Sequence, residues 1–275
     1  MTADKKSILL LGESNVGKTH FGAQLLKRLV TGNSRLTMQG LATNLEAFEQ
    51  TMEQLSEGLA SGHTAATSYV ESIWPVGTPN GERADLIWPD YGGEQIRALV
   101  AEHRIPSEWR SRVLAGTDWI LLIRLHIMRN DEDLFSKPLA KLGGPKVEVE
   151  EFTPSDQARL VELLQMLLHI GGHSTDAPIA TPSLTILLSC WDEVSAEGAP
   201  LEVFRTRLPM FSNYVESVWD SPQVIGLSAL ERSLSEKTAD KDFAIKGPET
   251  FGYVVLPDGT RENDISWPIQ RLLTR

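Results

Sequence analysis

Gly12-Glu13-Ser14-Asn15-Val16-Gly17-Lys18-Thr19 is the stretch that decides how this 275-residue chain is read. It matches the pattern G-x-x-x-x-G-K-[ST], and its surroundings agree with it. The apolar run at residues 7–11 leads in, and Phe21, Leu25, Leu26, Leu29 and Val30 follow at helical spacing up to Gly32-Asn33. Strand, glycine-rich loop and helix in that order serve one purpose. The glycines let the loop curl so that successive backbone N–H groups converge on phosphate oxygens at the helix N-terminus. Lys18 would reach the β- and γ-phosphates, and Thr19 would ligate Mg²⁺. The candidate nucleotide-binding residues are therefore Gly12, Glu13, Ser14, Asn15, Val16, Gly17, Lys18, Thr19 and His20. A glycine-rich turn that merely precedes a lysine would need neither the strand before it nor the helix after it.

Working outward, residues 69–76, 84–88, 119–125, 184–188 and 224–227 read as further strands. Most are continuously apolar, the mark of strands buried on both faces of a parallel sheet. Thr78-Pro79-Asn80-Gly81 joins two of them and predicts an antiparallel hairpin. Leu45, Phe48, Met52, Leu55 and Leu59 step by three and four, which predicts an inserted amphipathic helix. Such a helix either covers a sheet edge or reports on the site to a partner. A further helix is predicted to open at Thr153-Pro154, with Asp156 as capping-box partner, and to close at Gly171-Gly172. Near the C-terminus the pattern predicts a hairpin at residues 253–259 and a short helix at 267–273. Strand and helix in alternation give an α/β fold with a mainly parallel sheet of about six strands and one antiparallel hairpin edge. No clean linker divides the chain, so residues 1–275 are expected to form one domain with insertions near 36–66, 127–152 and 233–262.

Composition narrows the function classes. With 37 acidic against 26 basic residues the net charge is −11, unfavourable for gripping nucleic acid or an anionic membrane. The 41% hydrophobic share suits a folded protein, and no run approaches the roughly 20 apolar residues of a membrane span. A single cysteine, Cys190, cannot form an intrachain disulfide. The N-terminal apolar run is too short for a signal peptide, so the expected location is the cytoplasm. An acidic surface points toward a protein partner.

Past the third strand comes Asp90-Tyr91-Gly92-Gly93-Glu94. An acidic residue at a strand end can hold Mg²⁺ through water, and a glycine three residues on can offer its N–H to a γ-phosphate. The fifth strand ends in Ser189-Cys190-Trp191-Asp192 and the sixth in Ser228-Ala229-Leu230. In order and placement these elements resemble the translation-factor and Ras-like class of P-loop GTPases, with their three-layer P-loop NTPase fold. The resemblance implies a GTP-hydrolysing, Mg²⁺-dependent switch that alternates between GTP and GDP. It places Asp192 on the guanine N1 and exocyclic amine, and the Ala229 N–H near O6, flanked by Ser228 and Leu230. It makes Lys18, Gly93 and Glu94 the catalytic residues and Thr19, Asp90 and Thr67 the metal ligands, with Thr64 as the alternative threonine in the loop before the second strand. By the same resemblance, Asn15 stands where potassium-activated members hold a K⁺ against the phosphates. The run Ser189 to Glu193 and the long insertions resemble the bacterial double-GTPase families linked to conflict and defence systems.

This chain departs from the pattern where Cys190 and Leu230 stand in place of lysines, which leaves guanine preference to Asp192 with help from Trp191. Glu94 stands in place of the water-orienting glutamine and predicts slow turnover. Two other readings stay open: a nucleotide-dependent protein-binding module with little hydrolysis, and an ATPase or small-molecule kinase sharing the phosphate loop. His169 and His173 have the spacing of helix-borne metal ligands, but Gly171-Gly172 between them predicts a helix terminus instead. Neither a G-x-S-x-G elbow nor a base-stacking platform of tryptophans is present.

Overall fold

The computed structural model describes residues 6–62, 70–90, 99–129, 155–194 and 198–275. Its centre is β1 (Lys6–Gly12), whose side chains alternate between the two faces of the sheet: Leu9 and Leu11 enter one core, Ile8 and Leu10 the other. Around it lie β2 (Thr37–Met38), β3 (Val70–Gly77), β4 (Arg83–Asp90), β5 (Asp118–Arg124), β6 (Ser183–Ser189), β7 (Gln223–Ser228), β8 (Tyr253–Val255) and β9 (Arg261–Glu262). They form one nine-stranded mixed sheet in the order β2-β3-β4-β1-β5-β6-β7-β8-β9. Pairing is parallel from β4 through β1, β5 and β6 to β7, and antiparallel beyond both ends.

The six predicted strands are all present, but the expectation of about six with one antiparallel edge is corrected. β2 is added, the predicted C-terminal hairpin is present as β8 and β9 and joins the sheet beside β7, and both edges are antiparallel. At two or three residues each, these strands are too short to show a period; they form because a neighbouring strand offers unpaired backbone groups.

The helices are α1 (Lys18–Thr31), α2 (Glu46–Ser56), α3 (Ser107–Ala115), α4 (Asp156–Gly171), α5 (Pro200–Arg207), α6 (Pro209–Val218), α7 (Lys241–Lys246) and α8 (Trp267–Leu273). α1 buries Phe21, Leu25, Leu26 and Leu29 beside Ile8 and Leu10, together with α8. α3 to α6 cover the opposite face with Trp109, Leu164, Phe204 and Phe211. Two helical layers therefore sandwich the sheet, and each fully buried side chain of this size contributes roughly 1.5–3 kcal/mol.

Local chemistry sets the helix ends. α1 stops at Gly32, whose φ of +76° is the left-handed value that ends a helix, and whose N–H donates to the Arg28 carbonyl. α4 ends likewise at Gly172, φ +69°. Its predicted start is corrected: Ser155, not Thr153, is the N-cap, with Oγ accepting from the Ala158 N–H at 3.1 Å. Asp156 is then the first helical residue, and its carboxylate accepts from the Arg129 N–H at 2.7 Å. The inserted helix α2 covers sheet near its edge, with Phe48 edge-on to Trp74 and Trp88 at centroid distances of 5.0 and 5.3 Å. Arg28 fastens α1 to the C-terminal segment: buried, it donates to the carbonyls of Asn263 at 2.5 Å, Phe251 at 2.6 Å and Gly252 at 3.1 Å. Among the described residues no helix is long and apolar enough to cross a membrane.

Candidate functional site

At the C-terminal ends of β1, β5, β6 and β7 lies a cavity of about 520 Å³, where open parallel sheets bind ligands. Residues 13–20 form one wall of it, and Ser189, Cys190, Asp192, Ala229 and Leu230 form another. The two clusters predicted from separate parts of the sequence thus face one space.

Sterics explain the loop. A Cβ on Gly12 would sit 2.9 Å from Val16 Cγ2 and 3.2 Å from the Leu122 carbonyl oxygen, so only glycine lets the loop leave β1 against β5. Asn15 at φ +64° and Gly17 at φ +80° are left-handed, a conformation asparagine and glycine adopt at least cost. The Gly17 carbonyl accepts from the Phe21 N–H at 2.9 Å, so α1 begins at the loop's end with its first N–H groups turned to the cavity. Lys18 Nζ donates to the carbonyls of Gly12 at 2.6 Å and Glu13 at 2.7 Å, which holds the ammonium over the loop. Thr19 follows at the cavity wall.

Two arginines that sequence reasoning missed hold this loop, Arg124 from the cavity wall itself and Arg159 from α4. Arg159 on α4 forks onto Glu13, Nε to Oε1 at 2.5 Å and Nη2 to Oε2 at 2.9 Å. Arg124 at the end of β5 donates to the Asn15 carbonyl at 3.1 Å and forks onto Glu193 at 2.8 and 2.5 Å. Arg159 lies 146 residues from Glu13 and carries no local signal. Arg124 did carry one: a charge ending an otherwise apolar strand on the edge of the sheet where ligands sit.

On the opposite wall Asp192 accepts from Ser228 Oγ at 2.5 Å, and the same oxygen accepts from the Glu231 N–H at 3.0 Å. Asp192 and Ser228, predicted independently, are thus joined directly. Cys190 occupies a left-handed turn, φ +51°, and burial pushes its thiol up to about 11. Its sulfur lies 3.8 Å from where a Cβ on Gly17 would stand, so this residue packs against the phosphate loop. The expected help from Trp191 is corrected. Its ring is buried against Gly226, where a Cβ would come within 2.6 Å, so it belongs to the core. Gln24, fully buried on α1, donates to the Ala229 carbonyl at 3.0 Å and steadies that turn.

A third wall was also missed. Residues 60–62, after α2, and Arg232, Ser233, Leu234 and Glu236, after β7, line the cavity. The two segments are stitched together: the Ala60 N–H donates to Ser235 at 3.0 Å and the Asp240 N–H to Gly58 at 2.9 Å. His20 Nε2 accepts from the Ser61 N–H at 3.3 Å; burial and then the nearby Arg124 charge lower its pKa, consistent with a neutral, accepting ring. Asp90 closes β4, with its side chain outside the described atoms. The predicted site residues Thr64, Thr67, Gly93 and Glu94 lie outside the described residues. Among the described residues no cluster of three or more histidine, cysteine and acidic side chains forms a metal site.

A phosphate loop springing from the central strand of an α/β sheet, with an Asp-Ser pair across the cavity from it, defines a P-loop nucleotide-binding protein of the GTPase kind. The chain belongs to the family described as DO-GTPase1, Double-GTPase 1, whose sequence model matches residues 9–272. Solved structures similar to it include the GTPase-like domain of S. cerevisiae Ski7, described as bound to GTP, at 14% identity and TM-score 0.48 over 98% of this chain and 50% of that one. Another is a bacterial selenocysteine-specific elongation factor, EF-Sec, at 12% identity and TM-score 0.38 over 90% of this chain. The present chain spans 27% of that factor's length. A third is the Arl6 BBS3 small GTPase of Trypanosoma brucei with a bound nucleotide analogue, at 12% identity and TM-score 0.38 over 81% of this chain and 87% of that one. No curated protein matches the chain.

Proposed function

We propose that the chain binds GTP and hydrolyses it to GDP and phosphate, acting as a Mg²⁺-dependent switch for a protein partner. The single observation that carries this reading is the convergence of residues 13–20 and the Asp192–Ser228 pair on one cavity. At about 520 Å³ the cavity falls within the range of small-molecule sites. Loop N–H groups and Lys18 would cradle the phosphates, with the Lys18 ammonium exchanging the Gly12 and Glu13 carbonyls for phosphate oxygens. Asp192, steadied by Ser228 Oγ, would accept from the guanine N1–H and amine, with Ala229 and Leu230 beside the base. The donor set suits a hard cation that keeps several waters: a hydroxyl from Thr19, a carboxylate from Asp90 and a hydroxyl from Thr67 or Thr64. Mg²⁺ held there would supply charge neutralisation between the β- and γ-phosphates.

In the same reading Gly93 offers its N–H to the γ-phosphate and Glu94 orients the attacking water. A carboxylate beside a γ-phosphate also repels it, so turnover without a partner is slow, and Glu94→Ala changes single-turnover hydrolysis if Glu94 has this role. Residues 1–275 would act as one GTPase domain enlarged by its insertions. A module that binds nucleotide and hardly hydrolyses is the second reading, favoured by Cys190 and Leu230 in the base-reading loops.

Titration of labelled GTP, ATP and XTP in Mg²⁺ into wild type and Asp192→Asn tests the assignment. The substitution exchanges an acceptor for a donor and is expected to move preference from GTP to XTP by about 100-fold, the scale of a mismatched buried hydrogen bond. Tight ATP binding that ignores the change refutes a guanine site.

A further inference from the structure

We propose that Arg124 is a positioning residue that locks the phosphate loop to the base-reading loop, so that contacts at one end of the nucleotide set the geometry at the other; this rests on the GTP-binding reading above. The sheet puts Arg124 where it can do so. β5 lies between β1, which launches the phosphate loop, and β6, which launches residues 190–193. In register, Leu122 stands beside Gly12 and Arg124 beside Ser189.

From there one guanidinium reaches both loops. Nη1 holds the Asn15 carbonyl at 3.1 Å, while Nε and Nη2 grip the two Glu193 oxygens at 2.8 and 2.5 Å. Both side chains are about a quarter exposed, at 27% and 22%, so the pair is shielded from full solvent screening. The fork fixes orientation as well as charge, which a lysine in its place would not do.

Each contact has a consequence inside the cavity. A trans peptide points its C=O and N–H in opposite directions. Holding the Asn15 carbonyl on Arg124 therefore turns the Val16 N–H away from Arg124 and fixes the left-handed residue whose φ of +64° bends the loop. Glu193 follows Asp192 directly in a single helical turn, Trp191–Glu193, so gripping Glu193 limits where the Asp192 carboxylate can swing. On Asp192's other flank Ser228 provides the complementary restraint. Arg124 thus links the amides that would meet phosphate to the carboxylate that would read guanine.

The test compares GDP and IDP, which lacks the exocyclic amine that Asp192 would read. Dissociation constants for both are measured by fluorescence titration for wild type, Arg124→Gln, Arg124→Lys, Glu193→Gln and the Arg124→Gln/Glu193→Gln double variant, alongside nucleotide-free melting curves. Arg124→Gln and Glu193→Gln are each expected to weaken GDP binding and to reduce the GDP/IDP ratio by about tenfold, with the double variant no worse than either single one, as for residues acting as a unit. Arg124→Lys is expected to recover affinity in part without recovering the ratio. A lower melting temperature with an unchanged GDP/IDP ratio overturns the proposal, because a purely structural role gives that result. If the ratio is unchanged while Asp192→Asn still moves preference to XDP, the link through Arg124 fails alone. If Asp192→Asn leaves base preference unmoved, the guanine reading itself fails.

Discussion

Replacing Arg159 with methionine takes the bidentate guanidinium fork away from the Glu13 carboxylate inside the phosphate loop. The pair is well shielded: the Arg159 and Glu13 side chains are 14% and 9% exposed, and the guanidinium also holds Asp156 at 2.7 Å. Removing one partner of a buried ion pair costs about 3–5 kcal/mol, chiefly the desolvation of the charge left behind. At roughly 2–4 °C per kcal/mol for a large domain, the melting temperature of Arg159→Met is expected to fall by about 6–20 °C. Neutralising Glu13 as well, in Glu13→Gln/Arg159→Met, is expected to restore most of that loss, since the penalty belongs to the buried carboxylate that has lost the Arg159 fork. Urea denaturation of the four members of this cycle, with the slope against denaturant unchanged, measures the coupling. GTP affinity supplies a second readout, because in Arg159→Met the Glu13 carboxylate would stand beside the bound phosphates without the Arg159 fork. A loss below about 1 kcal/mol, the scale of an exposed surface pair, refutes the reasoning, as does a double variant no more stable than Arg159→Met.

Cys190 offers a pH test. Its thiol lies raised from 9.0 to about 11 by burial, so its neutral form favours the folded state. That contribution is complete below pH 9 and is lost as pH rises toward 11; wild type is expected to lose stability across this window relative to Cys190→Ser, and its reaction with a thiol reagent stays slow at pH 8. Gly58→Ala is expected to destabilise by more than 1 kcal/mol and to raise protease cutting near residue 60, since the new Cβ would lie 2.2 Å from the Asp240 carbonyl oxygen at a backbone φ of +76°. Hydrolysis rates in K⁺ and Na⁺ buffers are expected to be equal despite the asparagine at position 15. The Arg124 guanidinium already takes the Asn15 carbonyl oxygen at 3.1 Å, which removes that oxygen from the ligands a cation there could use; K⁺ stimulation of wild type would count against this.

What could be read in advance follows the range of the physics involved. The phosphate loop was legible because its demands are local: glycines where the chain must bend, a lysine one residue later, a strand before and a helix after. The same locality made β1, β5, β6 and β7 visible as continuous apolar runs, and Gly32 and Gly172 visible as helix stops. Asp192 and Ser228 were found separately by their places at strand ends, though nothing in either segment announces their 2.5 Å contact. Trp191 misled because an aromatic next to a candidate base-reading residue looks available, while its burial depends on Gly226 in another strand. β2 was hidden for the same reason, being stabilised by its neighbour rather than by its own pattern, and the C-terminal hairpin was legible only as a hairpin, because its pairing with β7 depends on a distant strand.

The arginines extend this point to electrostatics. A chain of net charge −11 that binds a compact polyanion needs positive potential somewhere, and Arg124, Arg159 and Arg232 all stand at or near the cavity. Each is already engaged by carboxylates of the chain: Glu193 for Arg124, Glu13 and Asp156 for Arg159, Asp240 and Asp242 for Arg232. Their charge is thereby compensated before any ligand arrives, so they shape loops rather than draw anions from a distance. In the proposed reading, phosphate recognition would be left to short-range groups, the loop N–H donors and Lys18, which would discriminate by geometry. An acidic protein can therefore hold a nucleoside triphosphate tightly without a basic face that would also attract nucleic acid, and the long-range carboxylate partners that make this possible are the part of the site that no local motif encodes.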